Sequence, residues 1–120
     1  MLLLDSLYRV DALRMEENQL IANIHLNEND AIFKGHFPGN PITPGVAQLE
    51  IIKELLAMHY QRSIQLKSIS NCKYLAIMNP IEHPQIEVKI TISESEEGIK
   101  TNTVFSAGDK TFTKSAGIYS

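Results

Sequence analysis

The sequence predicts an α+β domain in which an antiparallel sheet wraps around one long central helix. Three observations carry the prediction. From Val46 to Tyr60, apolar residues occupy most of a helical circumference, which marks a buried helix. Segments on both sides alternate apolar and polar residues with the period of a strand. Between the first strands and the helix lies a stretch dense in proline and glycine, Phe33 to Gly45. One helix followed by a run of strands is the order expected of a sheet folded over that helix.

Taken along the chain, Leu7 to Met15 is a strand with imperfect apolar spacing, and Glu16-Glu17-Asn18 reads as a turn. Gln19 to Leu26 sets Leu20, Ala22, Ile24 and Leu26 on one side, a half-buried strand. The next stretch holds Pro38, Pro41 and Pro44 with Gly35, Gly39 and Gly45. Proline fixes φ and glycine permits positive φ, so this is a shaped loop. Its apolar residues Phe33, Phe37, Ile42 and Val46 anchor it, as befits a site-forming loop. Thr43 suits the N-cap of the helix and Pro44 its first turn. Glu50, Lys53 and Glu54 share a narrow polar strip on that helix, with Gln48 almost opposite. Strands follow over Ile64–Met78, Ile86–Ile92, Ile99–Ser106 and Thr111–Tyr119, with Gly98 and Ala107-Gly108-Asp109 as turns and Pro80 and Pro84 bracketing a loop.

The chain of 120 residues fits one domain, residues 1–120. A domain this small has a limited core, so an interface with a second copy is expected. The net charge of -3 gives no electrostatic case for nucleic acid as main partner. No apolar run approaches a membrane span, and Leu2 to Leu4 is too short for a signal sequence. Cys72 is the single cysteine, which suits a reducing compartment and a packed thiol. The expected location is the cytoplasm. His25, His59 and His83 read as surface or strand-end residues, and no metal-ligand spacing is present. No cofactor is expected.

The most informative words are Gly35-His36-Phe37-Pro38-Gly39-Asn40-Pro41-Ile42-Thr43-Pro44-Gly45-Val46, followed by Glu50 fourteen residues after His36. They resemble the β-hydroxyacyl-acyl-carrier-protein dehydratases of the hotdog superfamily. Those proteins carry a Gly-His-Phe-Pro loop, then Pro-Gly-Val opening the central helix, then an acidic residue inside it. Lys73-Tyr74 with Pro80 is similar to that family's basic-aromatic strand and following proline. The Asn-Pro-Ile and Val-Ala-Gln wording resembles small stand-alone dehydratases of specialised acyl or polyene pathways.

The resemblance implies a hotdog fold and dehydration of (3R)-3-hydroxyacyl thioesters borne on acyl carrier protein. It implies His36, Glu50 and the Gly45 amide as catalytic groups. It further implies a homodimer in which His36 and Glu50 of one site come from different subunits. The acyl chain would then enter a tunnel at the interface, beside the helix. The chemistry suits these residue types. Neutral imidazole at His36 can take the C2 proton near neutral pH. Burial of Glu50 in an apolar helix environment favours the protonated form that an acid needs, and a nearby Glu54 charge would favour it further. Gly45 lies in the first helical turn, where N–H groups lack intrahelical acceptors and can hold a thioester oxygen.

Phe37, Pro44 and Val46 flank these groups and are expected to bind substrate, Phe37 serving also as a packing anchor of the loop. An ordinary ion pair of Glu50 with Lys53 at i+3 is the competing reading of that acid. Glu54 departs from the glutamine that many relatives carry at its position. Two other functions stay open: a hotdog acyl-thioesterase, and a non-catalytic partner subunit that binds acyl carrier protein.

Overall fold

The computed structural model describes residues 2–33 and 41–120. Strand β1 (Tyr8–Glu16) turns into β2 (Gln19–Leu26), a short 3-10 turn follows at Ala31–Phe33, and helix α1 spans Gly45–Tyr60. Four strands complete the order: β3 (Leu66–Tyr74), β4 (Gln85–Ser95), β5 (Gly98–Ala107) and β6 (Lys110–Tyr119). They form one six-stranded sheet in the order β1-β2-β4-β5-β6-β3, and every neighbouring pair is antiparallel. The expected α+β architecture is the observed one.

Alternation explains why the helix-facing side is apolar. In β4, Ile86, Val88, Ile90 and Ile92 are buried while their neighbours are more open. They pack with Leu20, Ala22, Ile24 and Leu26 of β2 against Ile51, Ile52, Leu55 and Leu56 of α1. Burial of each large side chain stabilises the fold by roughly 1.5–3 kcal/mol. Gly98 adopts φ 130° at the β4–β5 turn, and a β-carbon there would meet the Tyr119 carbonyl oxygen at 2.6 Å. That tight turn holds β4 and β5 in the register that runs from Glu87↔Ser106 to Ser95↔Gly98.

Three local expectations need correction. The N-cap is Pro44, in extended conformation, and Thr43 makes no side-chain cap. Thr43 is instead buried, its amide donating to the Met78 carbonyl at 2.9 Å. The strand expected over Ile64–Met78 extends only over Leu66–Tyr74, with register shifts at Leu66/Ser68 and Ile69/Asn71. After Tyr74 the strand ladder ends, although the Leu75 and Ala76 amides both still donate to the Phe112 carbonyl of β6.

Glu54 also leaves the polar strip expected for it. It is buried, with Oε2 accepting from the Leu3 amide at 2.8 Å. Its Oε1 accepts from the Leu4 amide at 2.9 Å and from the Tyr8 hydroxyl at 2.9 Å. The N-terminal segment therefore covers that side of α1, and the carboxylate satisfies three donors that would otherwise lack partners.

Candidate active site

Two layers meet at the start of α1, and Gln48 fixes how they meet. Its side chain is buried. Its Nε2 donates to the Thr43 carbonyl at 3.1 Å, and its Oε1 accepts from the Thr113 hydroxyl at 2.5 Å. One side chain thus ties the loop before the helix to strand β6. The helix begins on Gly45 because a larger residue has no room: a β-carbon there would lie 2.5 Å from Cζ of Tyr74. Tyr74 ends β3, opposite Thr113 of β6. The N-terminal amides of α1 have no intrahelical acceptors until Ala47 and Gln48, which both donate to the Pro44 carbonyl. Together they make an electropositive helix start with a close-fitting aromatic wall.

Around this start, Ile42, Pro44, Gly45, Gln48, Tyr74 and Ile77 border an open recess of about 350 Å³. One turn along the helix, Val46, Leu49, Glu50, Lys53, Gln65 and Leu66 border a second of about 290 Å³. Glu50 is partly covered, with its side chain 27% exposed, and its Oε2 is itself buried. Lys53 Nζ approaches that oxygen at 3.3 Å, an i,i+3 ion pair without hydrogen-bond geometry. The expected pairing with Lys53 is therefore present. It does not occupy Glu50 fully: the same carboxylate edges an apolar recess. Its charge also reaches the sheet. Burial first, then Glu54 and more weakly Glu50, holds the Tyr8 phenol well above its ordinary range. Burial, then Cys72 and Glu50, pushes Tyr119 up to about 12.

The sequence-predicted residues divide as follows. His36 and Phe37 lie outside the described residues. Gly45, Pro44, Val46 and Glu50 are described, all on the first turns of α1 or just before them. Gly45 and Pro44 border the first recess, Val46 and Glu50 the second. Val46 is 77% exposed beside Glu50, with Leu66, Tyr74, Leu75 and Ile77 also exposed nearby. Among the described residues β3 is an edge of the sheet, its outer side without a strand neighbour. Among the described residues, no three His, Cys, Asp or Glu side chains gather as a metal site. The role of Gln48 escaped the sequence reading, which placed it only as a polar residue opposite the acidic strip. A lone buried glutamine on an apolar helix face was the available signal.

The comparisons with known proteins give the family and the fold. A family model described as "ApeI-like: ApeI dehydratase" matches residues 12–115. The 3-hydroxyacyl-(acyl-carrier-protein) dehydratase FabZ of Legionella pneumophila strain Philadelphia 1 is 34% identical over 91 residues, covering 68% of this chain and 59% of that protein. A protein of the same name from Latilactobacillus sakei is 30% identical over 86 residues, covering 66% of this chain and 60% of that protein. The chain thus spans about three fifths of the length of these curated relatives. Among solved structures, a chain of the dehydratase heterocomplex ApeI:P from Xenorhabdus doucetiae superposes with a TM-score of 0.73 at 19% identity, covering 92% of this chain and 95% of that one. An uncharacterized protein from Erwinia carotovora follows at 0.70 and 18% identity, covering 92% and 91%. At these identities the structural likeness carries the fold alone, and that fold is the expected hotdog.

Proposed function

This chain belongs to the ApeI-like dehydratase family, and on that premise we propose that it dehydrates (3R)-3-hydroxyacyl-acyl-carrier-protein thioesters to trans-2-enoyl thioesters. The observation that carries the reading is Glu50. Its carboxylate has one oxygen buried and borders a recess that Val46, Leu49 and Leu66 help to line, and it follows His36 by fourteen residues. An ordinary surface glutamate would keep both oxygens in water.

The reaction then divides among three groups. His36 takes the proton from C2. Glu50, carrying a proton, gives it to the C3 hydroxyl, which leaves as water. The electron pair from the C2–H bond forms the C2–C3 double bond as the C3–O bond breaks. Negative charge that builds on the thioester oxygen is held by the Gly45 amide, aided by the helix N-terminus. After turnover His36 holds the proton and Glu50 lacks one, so solvent or the reverse hydration restores both. Pro44, Val46 and Phe37 border the acyl group in this reading.

The active unit is a homodimer, with His36 and Glu50 of each site on different subunits. Support comes from the open strand edge at β3 and from exposed Val46, Leu66, Leu75 and Ile77 beside the recesses. A chain that exposes several large apolar side chains beside its recesses has an incentive to cover them. Carrier delivery and a cytoplasmic setting belong to the same reading.

The test is a panel of 3-hydroxyacyl and 2-enoyl thioesters on carrier protein or pantetheine. Gain or loss of water should be observed. His36→Ala and Glu50→Gln should each slow it at least about a hundredfold, as loss of a placed acid or base does. Release of free thiol without hydration would assign a thioesterase instead. Inertness toward the whole panel would favour a carrier-binding partner subunit.

A further inference from the structure

We infer that the Tyr74 hydroxyl is a second hydrogen-bond donor to the thioester carbonyl oxygen, placed beside the Gly45 amide. The inference rests on the dehydratase reading and adds a residue to it.

Tyr74 is the last residue of β3, opposite Thr113, the residue that Gln48 clamps to the helix start. Its ring lies so close to Gly45 that a β-carbon would overlap both Cζ and the phenol oxygen. The phenol oxygen thus stands at the open face of the Gly45 α-carbon, one bond from the amide nitrogen assigned to the thioester oxygen. Both groups border the same recess of about 350 Å³. Tyr74 remains 53% exposed, so a molecule entering the recess meets its side chain. Burial of the ring, then the neighbouring Cys72 thiol, pushes the phenol up to about 12. The phenol therefore keeps its proton at neutral pH. Ring and hydroxyl both crowd the Gly45 α-carbon, and the hydroxyl also sets a donor where enolate charge would collect.

The experiment uses the full chain and enoyl-pantetheine hydration, with Tyr74→Phe as the variant that keeps the ring. Loss of one donor at a charged oxygen costs about 10²–10³ in kcat when the site is closed to water. For this half-open site the expected fall in kcat is about 10- to 100-fold, with little change in KM. A second readout is the carbonyl stretch of bound, carbonyl-labelled enoyl-pantetheine. It should move to lower frequency on binding, and move less in Tyr74→Phe. A fall in kcat with an unchanged stretch would assign Tyr74 to packing and overturn the donor role. Unchanged kcat in an active parent overturns it as well, leaving the dehydratase reading intact. A parent chain with no hydration activity overturns both together.

Discussion

Glu54 offers the sharpest test of how this fold is held. Its two carboxylate oxygens accept from the Leu3 amide at 2.8 Å, the Leu4 amide at 2.9 Å and the Tyr8 hydroxyl at 2.9 Å. Glu54→Ala strands all three donors. The two amides can regain water if residues 2–4 lift away, but Leu3 is buried and its exposure costs roughly 1.5–3 kcal/mol. Tyr8 is 1% exposed and cannot follow, so its unmet hydroxyl costs roughly 1–3 kcal/mol. The two together predict a loss of roughly 2.5–6 kcal/mol. Glu54→Gln keeps one acceptor and turns a second donor toward the amides, so its loss should be roughly 1–3 kcal/mol. Urea unfolding followed by circular dichroism measures both, at one fixed protein concentration because assembly adds its own stability. Amide exchange at Leu3 and Leu4 should quicken in each variant. A Glu54→Ala protein within about 0.5 kcal/mol of the parent, the range of an ordinary surface change, would refute this account of the N-terminal segment.

Other expectations follow from the same contacts. Gly45→Ala should destabilise by about 1–3 kcal/mol through overlap with Tyr74, and adding Tyr74→Ala should return part of that loss in a double-mutant cycle. Gln48→Leu should cost about 1–3 kcal/mol, because the buried Thr43 carbonyl and Thr113 hydroxyl lose their partner; thermal melts would show it. Tyr119 has a folded value raised from 10.0 to about 12. The folded state therefore binds its proton more tightly than the unfolded chain. Its contribution is fully present below pH 10 and is lost as pH rises through about 12. Tyr119→Phe should flatten that alkaline decline in unfolding titrations. Mixing inactive His36→Ala and Glu50→Gln chains should restore some hydration activity if each site draws on two subunits; no recovery in verified mixed dimers would count against sharing.

Much of this architecture was determined by the sequence itself. Period-2 alternation in Ile86-Val88-Ile90-Ile92 and the nearly all-apolar circumference of Val46 to Tyr60 each express a local rule, and both elements appear where those rules put them. The Pro/Gly loop placed the helix start to within a residue, because proline fixes φ and glycine widens it, both local effects. The family resemblance, with its fourteen-residue spacing from His36, put Glu50 forward as a candidate. What sequence left open depends on contacts between residues far apart in the chain. Glu54 looked like a third member of a solvated strip, because a helical wheel carries no knowledge of what lies across from it. Only when Leu3, Leu4 and Tyr8 fold over that face does it become a buried anchor. Gln48 likewise gains its meaning from Thr113, 65 residues later. Gly45 read equally well as a backbone requirement or as an amide donor. The tertiary structure supplied a cause that neither local reading contained: the phenol of Tyr74 fills the space of its missing β-carbon.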